Sequence, residues 1–449
     1  MTNHWIKNFD QLAMTENRKN ALEIMEAGLD AINTRKVIKN KIKLENNILT
    51  VNGENFDLNK FKNIKIVGFG KSSCDGALAL EEILGSRIKE GAVIGLCKVN
   101  TLHIETFVGT HPRPSEVNVS AGKKIYEIIK DSNVDDLIIV LVSGGGSALL
   151  CYPESEYTEG AKLYDSFLEC GKTIKEMNTI RKHLSLLKGG GLAKLAYPAT
   201  VIGLIFSDVP GDDFSDVASG ATYKDETTIE DVKKIINENN LGEFILIETP
   251  KEDKYFEKVH NFVLVSNKTA VEAMAKAAQE FNFKTNIIST NLYDEDEKAI
   301  KKIFSNQDKT NEGFSQVLGF QGPYPGQTIQ KPFIGFVQLA AGEPSIKISS
   351  CGGKGGRNLH MGLEVIKMKT VNDDSVFISF ASDGMDNSDV AGAIVDVETI
   401  KKAEKLGLNV DDYLKRFDSY DFFQKTGDMI ITGPTGANVS DLMILLNKK

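Results

Sequence analysis

The sequence predicts an α/β fold in two domains. Three observations carry that expectation. The chain has 449 residues, too many for a single core. Apolar runs of strand length alternate with stretches of helical periodicity, the pattern of parallel sheets covered on both faces. Glycine-rich loops follow several of those runs, where folds of this kind place their ligands.

In chain order, Leu22, Ile24, Met25, Leu29 and Ile32 form an apolar stripe, so a helix is expected over about Arg18–Thr34. Ile64–Val67 reads as a short strand entering "GFGKSS", and a helix follows through Ala77–Leu84. "AVIGLCKV" gives another strand, and a helix spans roughly Ser120–Lys130. Leu137–Val142 is an uninterrupted apolar run ending in "SGGGS", and reads as a buried strand. Thr200–Phe206 is a further strand, ending in the acidic loop "SDVPGDD". "NFVLVSNKTAVEAMAKAAQE" repeats the order strand, loop, helix. Residues 304–332 are polar and rich in glycine and proline, which predicts a long loop or lid. Beyond them come "FIGFVQLAAGE", a strand over Pro344–Ser350, a helix after Arg357, the strand "SVFISFASDG" and a closing helix after Asn438. The domain boundary is placed shortly before "NFVLVSN", dividing residues 1–257 from 258–449, with the chain free to cross back. There is no internal repeat.

Composition narrows the function classes. Hydrophobic residues make up 41% and charged residues 26%, ordinary for a soluble globular protein. A net charge of −9 argues against a nucleic-acid partner, and the basic cluster Arg35, Lys36, Lys39, Lys41 and Lys43 reads as a solvated face. No apolar stretch approaches the length of a membrane span, and the N-terminus lacks a secretory pattern, so no membrane partner is expected. The five cysteines are odd in number and never form CxxC, which predicts a reducing, cytoplasmic setting and no cysteine metal site.

The strand-end loops hold the candidate chemistry. "GFGKSS" begins like a dinucleotide fingerprint, but Ser73 stands at the third glycine, and Lys65 stands where a Walker loop needs its first. Ser143, Gly144, Gly145, Gly146 and Ser147 would bare successive N–H groups at a helix start, which suits an anion. Arg181 leads into Lys188, Gly189 and Gly190, a second anion candidate. Asp208, Asp212 and Asp213 follow a buried strand and suit a divalent cation. Glu343 and Asp383 with Asp386 lie in similar loops, and Lys71, Lys354 and Arg357 stand beside glycines. His111, His183 and His360 lack a partner at metal-ligand spacing and read as structural. Glycine loops with cations favour phosphates, while strand-end carboxylates favour Mg²⁺ and a base. The combination fits phosphoryl transfer, with a phosphatase or a sugar-phosphate binder still open.

Six segments in order, "VSGGGSALL", "NTIRKHLSLLKGGGLA", "SDVPGDDFSDVASGATYKD", "GGKGGRNLHMGLEV", "SDGMDNSDVAGAIVD" and "TGDMIITGPTGANVSDL", resemble the class II glycerate kinases, the glycerate 2-kinases with a C-terminal MOFRL domain. The resemblance spans about residues 17–445 apart from the polar insert. It implies a larger Rossmann-like parallel-sheet domain and a smaller α/β domain whose MOFRL region covers about 333–445, with the active site in the cleft between them. It implies ATP and Mg²⁺ as cofactors and conversion of D-glycerate to 2-phosphoglycerate. The family's catalytic pair corresponds to Lys71 and Arg357, joined by Asp208 and Asp383. Asp208, Glu343 and Asp383 would hold the metal. Asn267, Gly355, Gly356 and Asn358 join the 143–147 loop, Arg181, Lys188, Gly189 and Gly190 as substrate or nucleotide contacts. The chain departs from the family pattern at Ser72, Ser115, Ala341, Asn387 and Ala221. A kinase for another hydroxy acid or sugar acid, an NAD(P)-dependent hydroxypyruvate reductase and a non-catalytic sugar-acid or phosphate binder are the alternatives. A homodimer is compatible with the sequence.

Overall fold

The computed structural model describes residues 4–170, 174–209, 214–305, 332–346 and 352–448. Asp212, Asp213 and most of the 304–332 segment therefore lie outside the described residues, as does the expected strand beyond residue 346.

Contacts divide the chain into two units. One comprises residues 32–266 with Gly436–Val439; the other comprises 1–31, 267–435 and 440–449. After the helix Thr34–Lys41, the first unit has a small antiparallel sheet of β1 (Ile42–Glu45), β2 (Ile48–Val51) and β3 (Glu54–Asp57). Its main sheet contains β4 (Asn63–Phe69), β5 (Ile88–Gly95), β6 (Ile104–Val108), β7 (Asp136–Ser143), β8 (Thr200–Phe206) and β9 (Val259–Val265). All pairings are parallel, in the order β6-β5-β4-β7-β8-β9. That is the doubly wound order expected of a Rossmann-like domain, and its direction reverses between β4 and β7. Every residue of β7 is buried, because helices cover both faces; this is why "DLIIVLVS" is apolar without alternation.

The second unit holds β10 (Lys284–Leu292), β11 (Gly335–Gly342), β12 (Ser375–Ala381), β13 (Gly392–Val395), β14 (Met429–Ile430) and β15 (Asp441–Lys448). Their order is β10-β11-β15-β12-β13-β14. This sheet is mixed: β10 and β11 are parallel, and the other pairs are antiparallel. The closing helix expected after Asn438 is instead the strand β15, inserted between β11 and β12. "LMILL" is buried on both faces there, and an apolar run of that length does not distinguish a central strand from a helix.

The units are divided differently from 257/258. β9 pairs with β8 and so completes the first sheet, which carries the division to Ser266/Asn267. The helix Glu16–Ala31 belongs to the second unit, where the fully buried Arg18 holds it. Its Nε and one Nη donate to both oxygens of Asp396 at 2.6 Å, and its other Nη donates to Asp428 at 2.8 Å. Among the described residues no helix is long and apolar enough to cross a membrane.

Candidate functional site

In a doubly wound sheet, the crevice for ligands opens beyond the carboxyl ends of the strands where the order reverses. Here those strands are β4 and β7, paired so that Phe69 stands beside Val142. β4 runs into Gly70 at φ +117°, and a Cβ there would collide with Ser143. The two loops are then clamped together. Lys71 N–H donates to Gly144 O at 2.9 Å, and Ser72 N–H donates to Ser143 Oγ at 3.0 Å. The Ser143 hydroxyl is thus an internal acceptor, which gives it a positioning role.

Gly144 and Gly145 form a bare cradle beside this clamp. A Cβ on Gly144 would collide with the Asp208 carboxylate and with Asn438. On Gly145, at φ +79°, it would stand 3.3 Å from Lys71 Cγ and 3.2 Å from the His111 ring. Lys71, His111 and Asp208 are therefore gathered around one stretch of backbone. Asn438, returned to this unit by the 436–439 segment, donates from Nδ2 to Asp208 Oδ2 at 3.2 Å. The hydroxyls of Ser72 and Ser73, next to Lys71, are buried without a hydrogen-bond partner among the described residues. A cradle without side chains, a lysine and two unsatisfied hydroxyls fit a phosphate group.

Other sequence candidates in this unit divide by role. Gly146 makes room for Ala218, and Ser147 Oγ accepts from Ser219 Oγ at 2.9 Å. Lys188 is buried and ion-paired with Glu156, so its charge is neutralised locally. Gly189 and Gly190 donate their N–H groups to Ser219 O and Gly220 O, each at 2.9 Å, which makes them packing elements. Arg181 lines a recess with Ser147 and the Lys188–Glu156 pair, and burial holds its pKa below the usual range. His183 is structural, held between Thr179 O at 3.0 Å and Glu248 at 3.2 Å.

The second unit gathers charge at one end of its sheet. Asp441 opens β15 and stands level with Gly342 of β11 and Ala381 of β12. Glu343 and Asp383 follow those strand ends, so three carboxylates share that end. Arg357 opens the helix Arg357–Lys367 and donates from Nε to Asp441 Oδ2 at 2.6 Å, with Nη2 3.4 Å from Glu343. Burial opposes its charge, but Asp441 and Glu343 outweigh burial and raise its pKa. Burial pushes Asp441 above the usual carboxylate range despite Arg357.

Asp386 holds the start of the same helix. Its carboxylate accepts from Asn358 N–H at 3.1 Å and Leu359 N–H at 2.8 Å. Burial and the neighbouring Asp441 push its pKa up to about 7. Asn358 is buried and bonds Asp386, Asp441 and Ser379, so it orders the carboxylates. Gly355 and Gly356 admit Ser419 and Asp386, whose side chains a Cβ would strike. Asn267 is also buried, donating to Thr290 O at 2.9 Å and to Ser440 Oγ at 3.3 Å. Both oxygens of Asp441 are engaged by Arg357 and Asn358, which leaves Glu343 and Asp383 as the carboxylates at this end chemically suited to a hard cation such as Mg²⁺. The sequence reading missed Asp441 and Asn438 as site residues; both lie inside the segment "TGPTGANVSDL", which it had singled out.

Two family models match the chain: a domain of unknown function, DUF4147, over residues 20–245, and the MOFRL family over residues 336–441. A glycerate 2-kinase from Pyrococcus horikoshii is 33% identical, covering 96% of this chain and 97% of the relative. A D-glycerate 2-kinase from Thermotoga maritima is 31% identical, over 95% and 97%. A putative hydroxypyruvate reductase from Agrobacterium vitis is 32% identical over 85% and 86%. The crystal structure of a glycerate kinase from T. maritima superposes with a TM-score of 0.77 at 29% identity, covering 96% of this chain and 99% of that one.

Proposed function

Because this chain belongs to the glycerate 2-kinase family, we propose that it phosphorylates the 2-hydroxyl of D-glycerate, using ATP and Mg²⁺ and releasing 2-phospho-D-glycerate and ADP. The observation that carries the reading is the Gly144–Gly145 cradle with Lys71 alongside, at the switch point of a doubly wound sheet. Catalysis of phosphoryl transfer is mostly positioning and charge neutralisation, and the described residues supply both.

Lys71 and Arg357 counter the charge of the transferring phosphoryl group. Asp441 orients Arg357, and Asn358 and Asp386 fix the helix start beneath it. The Ser143–Ser147 loop positions an anion through its backbone. Carboxylates from the set Asp208, Glu343 and Asp383 would hold Mg²⁺, which supplies charge neutralisation at the nucleotide phosphates. Asp208 is more exposed than Asp383, and we assign it the proton of the 2-hydroxyl.

A coupled ADP-release assay tests this across glycerate, other hydroxy acids and simple sugars, with and without Mg²⁺. Product analysis must give the 2-phosphate. ADP release that ignores glycerate would sink the reading. The reductase named among the relatives makes a competing claim, opposed by Ser73 at the third fingerprint glycine. Hydroxypyruvate-dependent loss of nicotinamide absorbance would establish it.

A further inference from the structure

The helix Arg357–Lys367 also carries His360 in its first turn and Glu364 in its second. His360 and Glu364 are four residues apart and so share a face. Asp296 opens the helix Asp296–Ser305, which packs on that helix. One ligand atom from each of the three lies within 4.8 Å of the other two. His360 Nε2 is 3.5 Å from Asp296 Oδ2, and Phe417 stacks on the imidazole with ring centroids 5.3 Å apart. The sequence reading gave His360 no partner; Glu364, one turn on, and Asp296, from another helix, supply two.

The group is costly as it stands. The Glu364 side chain is only 8% exposed. The Lys367 ammonium donates to its Oε1 at 3.3 Å and lies 3.2 Å from Oε2, which receives no hydrogen bond among the described residues. Burial outweighs the Lys367 ammonium and, with Asp296 and Glu297 adding to it, pushes the Glu364 carboxyl up. Burial holds the His360 imidazole below its usual range despite Asp296, which favours the ring form that can ligate a metal. A carboxyl resisting ionisation and an imidazole resisting protonation are both stabilised by a bound cation.

We propose that Asp296, His360 and Glu364 form a site for a divalent transition ion such as Zn²⁺, separate from the Mg²⁺ used with nucleotide. One nitrogen and two carboxylates favour a borderline ion over Mg²⁺, which prefers oxygen alone. Three protein ligands leave a position for water. Lys367, 42% exposed, turns into solvent when the ion enters. The ion ties together the segments that bear the catalytic groups. Asp296 N–H donates to Ser345 O at 3.1 Å, two residues after Glu343, and His360 lies three residues after Arg357. The inference does not rest on the kinase reading, because its readout is metal binding.

Protein stripped with a chelator and free of nucleotide is titrated with Co²⁺ and then with Zn²⁺. The expected result is one Co²⁺ per chain, with visible d–d absorbance and no thiolate charge-transfer band, displaced by Zn²⁺. Zn²⁺ also raises the thermal midpoint. His360→Gln and Glu364→Gln each weaken binding by roughly 100-fold or more, beyond what loss of an outer-shell partner costs. Asp296→Asn, at a less buried position, gives the same loss if the helix variants fold poorly. A wild-type chain that binds no Co²⁺ at micromolar concentration overturns the proposal. So does a thiolate band, which would place the ion at a cysteine such as the exposed Cys97, or unchanged binding in a folded His360→Gln protein.

Discussion

Arg357 donates from Nε to Asp441 at 2.6 Å, and the same guanidinium reaches Glu343 at 3.4 Å. Two carboxylates, one opening β15 and one just past the end of β11, thus fix one planar cation at the end of the second sheet. A lysine keeps the charge but cannot hold that fork. Arg357→Lys should lower kcat by about 100-fold or more, the cost of removing one preorganised donor, with the thermal midpoint nearly unchanged. Steady-state kinetics with glycerate and ATP, read beside a melting curve, checks both halves.

Lys71 lies over Gly145, and its backbone, rather than its side chain, makes the loop clamp to Gly144. Truncation should therefore spare the fold. Lys71→Ala is expected to reduce kcat/KM by roughly 10³-fold, in the range found when a charge stabilising a phosphoryl transition state is lost. Full activity in a folded Lys71→Ala protein would remove Lys71 from the mechanism.

Strand ends were legible because a buried strand is an apolar run and its end is where the run stops. That located Lys71, Asp208, Glu343 and Asp383. Asp441 was not legible, because its place depends on β15 entering between β11 and β12, a register no local pattern records. Lys188 looked like a ligand cation because Glu156, its partner, is 32 residues away. Gly189 and Gly190 looked like bare donors because their acceptors, Ser219 and Gly220, lie in another loop. The family resemblance supplied the activity; it could not separate residues that meet substrate from those that shape the loops.

The helix Glu16–Ala31 shows the same limit. Arg18 reads as a polar residue in an amphipathic helix, yet it is fully buried between Asp396 and Asp428. Arg18→Met leaves the buried Asp396 without its cation and Asp428 with Lys402 alone. The loss should be about 3–5 kcal/mol in denaturant unfolding, typical of breaking a buried pair from one side. Adding Asp396→Asn should recover part of it, because the stranded charge is removed.

Asp386 has its pKa raised to about 7 from an ordinary 3.8. Between those values the folded chain keeps a proton that the unfolded chain has lost. The group therefore costs stability as pH rises through that window and adds nothing further above it. Asp386→Asn removes this dependence but weakens the helix cap, by about 1 kcal/mol. The variant should melt below the wild type near pH 4, and the gap should narrow or invert by pH 8. Parallel melting curves across that range would contradict the raised pKa.

Asn438 donates to Asp208 at 3.2 Å. If Asp208 takes the proton of the 2-hydroxyl, its ionisation sets the acid limb of the pH–rate profile. Asn438→Asp replaces the donor with a like charge against Asp208 and should raise the Asp208 pKa, moving that limb to higher pH by about one unit or more. Asn438→Ala removes only the donor and should move it less, in the same direction. Both variants keep the plateau rate within a few-fold, because neither touches the reacting atoms. An acid limb that stays in place in both, with activity intact, would assign the proton to another carboxylate, and Asp383→Asn is the variant to measure next.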